Sequence, residues 1–207
     1  MSQFFQIHPE NPQPRLIRQA AEIVRGGGVI VYPTDSGYAL GCGIGEKKAT
    51  DRIKAIRRLD DKHNFTLMLN DFSDIATYAK MDNQHFRLIK AHTPGPYTFI
   101  LRATSEVPRR LLHPKRRQIG IRVPDNAIAQ ALISEVGEPL MSTTLILPGD
   151  ELPLTDPYDI RETLEHQVDL VIDGGFCGME PTTVISLTED VPEVLRQGAG
   201  DASAFVA

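Results

Sequence analysis

The segment Val29-Ile30-Val31-Tyr32-Pro33-Thr34-Asp35-Ser36-Gly37-Tyr38 decides how the chain is read. Its first four residues form a β-branched apolar run, the pattern of a buried strand. The polar residues that follow would then leave the carboxyl end of that strand, where ligands gather in open α/β sheets. Thr34 and Ser36 supply hydroxyls. The glycines at 37, 41 and 43 would let a ligand approach the backbone closely. An ordinary strand-to-helix loop has the same composition, so position alone leaves both readings open.

Upstream, Leu16, Ala20, Ile23 and Val24 recur at helical spacing, and Gly26-Gly27-Gly28 closes that helix. Residues 1–14 are polar and proline-rich, which predicts an N-terminal extension and not a signal peptide. Downstream, helices are expected over 48–58, 72–80, 83–91, 127–136 and 157–166, the last capped by Thr155 or Asp156. Strands are expected over 65–69, 97–101, 119–123, 140–144, 170–173, 183–187 and 193–196. Strands alternate with helices early and cluster late. That order predicts an α/β fold: a twisted, open, mixed sheet flanked by helices, in one domain over 15–201.

Composition narrows the class. No apolar run approaches the roughly 18 residues of a membrane span, so no membrane partner is expected. Cys42 and Cys177 are too few for a disulfide framework, and a reducing cytoplasm is the expected location. The net charge of −5 conceals a division. Residues 1–122 hold 20 Lys and Arg against 11 Asp and Glu, whereas residues 123–207 hold 2 against 16. A basic face that attracts phosphate-bearing partners is one consequence; mixing of the two halves on folding would dilute it.

Four segments could carry chemistry. Arg57-Arg58 ends a predicted helix, where cations either complement the helix dipole or grip phosphate with their guanidinium forks; Lys62 and His63 follow. Arg109, Arg110, Lys115, Arg116 and Arg117 surround His113 in the densest basic stretch, a solvated loop or a backbone contact for nucleic acid. Arg122 lies inside an apolar strand, so it either pairs with a carboxylate or reaches into a site. Ser142-Thr143-Thr144 ends another strand and could hold phosphate oxygens. His63, His85, His92 and His113 lack metal-ligand spacing, so no metal site is read. Neither a Walker loop nor a Gly-x-Gly-x-x-Gly fingerprint occurs.

Taken together, these segments resemble the YrdC/YciO family over nearly the whole chain, and most of all its YciO branch. The resemblance rests on Pro33, Thr34, Tyr38, Leu40 and Gly41, then on Pro94, Gly95, Pro96 and Thr98. It continues through Arg122-Val123-Pro124-Asp125 and Pro139-Leu140-Met141-Ser142-Thr143. It closes on Thr183-Val184 and on Arg196, Gly198 and Ala199. Six such motifs in order are specific where any one alone is weak. The resemblance implies a concave, positively charged surface associated with double-stranded RNA or tRNA. It also implies kinship with enzymes that make threonylcarbamoyl-adenylate from threonine, bicarbonate and ATP, for N6-threonylcarbamoyladenosine in tRNA.

By that resemblance Thr34 and Tyr38 would cradle a threonine moiety. Arg57, Arg58, Arg122, Ser142, Thr144, Thr183 and Arg196 would bind nucleotide or phosphate. The departures from the synthase pattern are pointed. Its Lys-x-Arg pair reads Arg57-Arg58-Leu59 here, and its Ser-x-Asn pair reads Ser142-Thr143-Thr144. Leucine offers no charge to a triphosphate, and an arginine fork is not a lysine point charge. Each lost transition-state contact costs about 3 kcal/mol, so synthase activity should fall severely unless Arg58 compensates. The expected function is therefore RNA binding, with a nucleotide in a basic cleft and a tie to threonylcarbamoyladenosine metabolism. One alternative is removal or hydrolysis of threonylcarbamoyl groups, with His63 or Asp35 as general base. The other is residual synthesis, the only reading that calls for ATP and Mg.

Overall fold

The computed structural model describes residues 1–60, 63 and 65–206. Strand β2 (Ile30–Thr34) turns straight back into β3 (Gly37–Gly43), with Thr34 opposite Gly37 across the ladder. The expected loop after β2 is therefore a tight hairpin. All seven residues of β3 are buried, which is why it carries glycines. A Cβ on Gly41 would lie 2.7 Å from the Tyr32 ring, so only glycine lets the two strands share that space.

Around this hairpin the chain builds β1 (Gln3–Gln6), α1 (Pro14–Arg25), α2 (Lys47–Arg57), β4 (Thr66–Met68) and α3 (Ile75–Tyr78). There follow β5 (Ala79–Lys80), α4 (Asn83–His92), β6 (Tyr97–Ala103), β7 (Gln118–Arg122) and α5 (Ala127–Val136). The last third adds β8 (Leu140–Thr144), α6 (Pro157–Leu164), β9 (Leu170–Asp173), β10 (Thr183–Ser186) and β11 (Glu193–Arg196). Local chemistry sets several boundaries. Pro14 starts α1 at the position where a missing N–H is harmless. The Asn126 side chain accepts from Ala129 N to cap α5, which Gly137 ends at φ 86°. Asp156, not Thr155, caps α6 by accepting from Tyr158 N at 2.9 Å.

Two expectations change. Residues 72–80 are not one helix but a 3-10 turn, the short α3 and then β5. The supposed extension is part of the sheet, because β1 pairs in parallel with β9.

The eleven strands form one mixed, open sheet in the order β1-β9-β2-β3-β8-β4-β7-β6-β10-β11, with β5 paired to β6. Late strands β8 and β9 are thus inserted among early ones, while β10 and β11 extend the sheet beyond β6. Arg52–Asp169 and Arg102–Glu189 ion pairs join the two halves of the sequence, so the charge division along the chain is not carried into two separate lobes.

The sheet's faces are covered unequally. On one face Leu40, Leu67, Phe99, Leu101, Ile119 and Ile121 pack into a core that also takes in Ile53 of α2 and Ile89 of α4. On the other face Ile30, Tyr32, Met68, Leu140, Leu170 and Ile172 are covered by Ala20, Val24, Ile128 and Leu132 of α1 and α5. That second core stops at β4. Beyond it, the same face of β7, β6, β10 and β11 has no helix over it among the described residues.

Candidate functional site

Where the helices stop, a cavity of about 310 Å³ opens onto the sheet. Strand alternation supplies its floor, since every second residue points to the same side. Thr66 and Met68 come from β4, Gly120 and Arg122 from β7, Thr98 and Ile100 from β6, and Ser142 and Thr144 from β8. Thr182, Val184 and Arg196 form the β10–β11 side, while Arg57 and His63 close the opposite wall. Three arginines and several hydroxyls line this space, and no aspartate or glutamate is among its described lining residues.

Arg122 is the most buried of the three, with 7% of its side chain exposed. It donates to Asp35 Oδ1 at 2.6 Å, while Asp35 Oδ2 accepts from Asp125 N at 2.8 Å. The sequence offered two fates for Arg122, and the structure realises both: it has a carboxylate partner and it lines the cavity. Its Nε is buried without a partner. Asp35 is correspondingly committed. Both oxygens accept hydrogen bonds and its charge balances a buried guanidinium, which removes it as a general base.

Arg57 projects from the end of α2, where Nε donates to Ile146 O at 3.0 Å and the guanidinium also reaches Thr143 Oγ1. Burial makes its cationic form less favourable than usual. Arg58 takes the left-handed conformation that ends the helix, φ 54°, and its exposed side chain is not part of the cavity lining. Leu59 packs against the core. Arg196 sits at the mouth, donating to Thr182 O at 2.9 Å and Thr182 Oγ1 at 3.1 Å. Partial burial and the nearby charge of Arg122 both disfavour its protonated form. His63 stands 3.5 Å from Thr143 Oγ1, and burial together with Arg57 lowers its pKa, which favours the neutral imidazole. Lys62 lies outside the described residues.

Other expected site residues serve the frame. Thr34 Oγ1 donates to Gly37 O at 2.7 Å and accepts from Ser36 N, closing the hairpin. The Tyr38 hydroxyl donates to Gly175 O at 2.6 Å and accepts from Gly174 N at 3.2 Å, tying down the segment after β9. Neither lines the cavity; burial and these bonds occupy both hydroxyls. Thr183 is likewise buried, donating to Gly200 O. Its neighbour Thr182 faces the cavity instead and shares a 2.7 Å hydrogen bond with Thr98. Ser142 is in the lining, held by Tyr32 Oη at 2.8 Å and Leu40 O at 2.9 Å. Thr66 and Thr182 had no sequence signal beyond strand propensity. Alternation from Arg122 and Ser142 across the register would have found Thr66.

The basic loop divides. Arg109, Lys115, Arg116 and Arg117 are exposed. Arg110 is half-buried instead and donates to Ile44 O at 2.9 Å.

This open mixed sheet with one half-bare face belongs to the Sua5/YciO/YrdC family: the family model described as telomere recombination matches residues 22–198, most of the chain. The chain is 62% identical to Escherichia coli YciO over the full length of both proteins, and their structures superpose with a TM-score of 0.96. It is also 31% identical to the threonylcarbamoyl-AMP synthase of Nitrosococcus oceani, covering 76% of this chain and 85% of that one. The structure of P. abyssi Sua5 complexed with L-threonine aligns with a TM-score of 0.86 at 26% identity, covering 94% of this chain and 57% of Sua5. The family relationship therefore extends to threonylcarbamoyl-AMP synthases. No helix among the described residues is long and apolar enough to cross a membrane.

Proposed function

We propose that this protein binds RNA, tRNA or duplex, by receiving a phosphate-bearing nucleotide in the cavity, and that it acts in threonylcarbamoyladenosine metabolism. The observation that carries this reading is the convergence of Arg57, Arg122 and Arg196 on a cavity whose described lining holds no carboxylate. Asp35 compensates only Arg122, whose Nε still lacks an acceptor. Clustered, partly desolvated guanidinium groups demand an anion, and phosphate oxygens match their planar forks. The surrounding hydroxyls accept or donate as needed and add no charge of their own. About 310 Å³ suits a nucleotide unit, not a helix.

Two features weigh against ordinary ATP-driven synthesis. Leu59 packs into the core where the synthase pattern has an arginine, and Arg57 is fastened to Thr143 and Ile146 O. His63 favours a second reading, hydrolysis of the threonylcarbamoyl group. A neutral imidazole at the cavity wall can take a proton from water. The water oxygen adds to the ureido carbonyl carbon, and His63 returns the proton to the adenine nitrogen as the bond from that carbon to the nitrogen breaks, giving the free amine and a carbamate.

The test is binding of tRNA that carries N6-threonylcarbamoyladenosine, followed by nucleoside analysis. The expected result is affinity that falls steeply with salt. Loss of the modified nucleoside would select the hydrolytic reading. Absence of salt-sensitive binding to this tRNA and of binding to AMP would overturn the proposal.

A further inference from the structure

A second concavity, of about 590 Å³ and larger than the cavity, opens at the far end of β6. Lys80 of β5, Arg102 of β6, and Arg109, Lys115, Arg116 and Arg117 of the following loop supply six cations to its lining, which contains no carboxylate. Thr104 and Ser105 add hydroxyls, over a floor of Val107 and Leu112. The loop that presents the cations is built, not slack. His113 Nδ1 accepts from Lys115 N and Arg116 N at 3.2 Å each, and Arg117 O accepts from Ala103 N at 3.0 Å.

Register relates this groove to the cavity. Thr98 and Ile100 line the cavity and Arg102 lines the groove, so strand alternation puts all three on one face. Lys80 lies opposite Arg102, and Gln118 pairs it from β7. From Thr98 to Arg102 is about 13 Å along the strand. Strand β6 thus contributes to both concavities, with no acidic residue in the described lining of either. Arg102 does pair with Glu189 at 3.0 Å, but both side chains are more than half exposed, and such a pair yields readily to a phosphate.

We propose that this groove is a second RNA-backbone site, which grips the sugar-phosphate chain flanking the nucleotide held in the cavity. The inference rests on the cavity reading for its choice of RNA. Concavity and continuity with a nucleotide-sized site favour a polynucleotide strand over a flat lipid surface or an acidic polypeptide. Contacts of this kind position the strand without reading its sequence.

The experiment compares wild type with the double variant Lys115→Ala/Arg116→Ala and, separately, with Arg102→Ala, using tRNA and AMP as two probes. All three side chains are exposed, and circular dichroism confirms folding. The double variant is expected to bind tRNA at least tenfold more weakly, with a salt slope shallower by about two, and to bind AMP as wild type does. Arg102→Ala should move tRNA affinity in the same direction by less. Unchanged tRNA affinity and slope in the double variant would overturn the groove, as would wild type that binds AMP but no tRNA. Should tRNA binding depend on Lys115 and Arg116 while AMP never binds, the cavity reading fails and the groove stands.

Discussion

Beneath α1 and α5, the sheet turns Ile30, Tyr32, Leu140, Leu170 and Ile172 toward the helices; a few strands away, the same face turns Thr66, Thr98, Gly120, Arg122 and Thr182 toward a cavity. Backbone geometry is shared, and only the side chains and their cover differ. Apolar residues are stabilised by removal from water, whereas hydroxyls and guanidinium groups need polar partners. The comparison teaches that the bare half is a polar surface, which the proposed function fills with an anion, and not a core left incomplete.

Arg122→Ala should break that contrast most severely. It leaves the Asp35 carboxylate buried and unpaired, which costs about 3–5 kcal/mol of stability. Denaturant titration reads the loss, and addition of Asp35→Asn should recover part of it while nucleotide binding stays absent. In the covered half, Leu132→Ala should cost about 2–5 kcal/mol through the space it leaves. Below its unfolding transition this variant should bind nucleotide like wild type; weakened binding there would erase the distinction between the halves.

Arg196→Gln, at the exposed mouth, should lower nucleotide affinity roughly 10–100-fold, since a hydrogen bond to a charged group is worth about 1.5–3 kcal/mol. Its melting temperature should barely move, and a large drop would mark Arg196 as structural. The smallest effect concerns pH. The folded state depresses the pKa of His63, so the native protein prefers it neutral. Stability should therefore decline as pH falls through about 6.5, the unfolded value, and level off below the folded one. A bound anion should raise that pKa, so that nucleotide binding tightens modestly toward pH 6 with uptake of a proton. His63→Gln should flatten both trends in calorimetry across buffers.

Much of the fold was legible because its signals are local. The β-branched run before Pro33, the glycines after α1 and the periodicity of α5 each report a dihedral or a face that neighbouring residues determine. The failures have physical reasons too. β3 is buried on both sides and hydrogen-bonded to β2 and β8, so Gly41 serves close packing against Tyr32 and Gly37 the positive φ of the turn, where a sequence reading sees ligand approach. β1 is a four-residue edge strand whose Phe4 and Phe5 lie between two glutamines, a signal too short to stand out within an apparent extension. Of the cavity lining, Arg57 was conspicuous as a cation at a helix end, Arg122 and Ser142 as polar groups in strands, and Arg196 came only with the family resemblance. Thr182 and Thr66 were not conspicuous, because threonine is an ordinary strand residue and its facing depends on register. Arg110 shows the opposite error: charge density in the sequence does not say which side chain turns inward to meet Ile44 O.

The strand order has a consequence for how the protein is made. β2 and β3 emerge from the ribosome early, yet β8 and β9 must be inserted beside them, and β10 and β11 added after β6, before the sheet is whole. The binding floor draws on residues from Thr66 to Arg196, so a nascent chain cannot assemble it until translation is nearly finished. Until then the first hairpin waits with unpaired edges, which makes the interval during synthesis the period of greatest exposure to aggregation, and the proposed binding activity a property that only the finished polypeptide acquires.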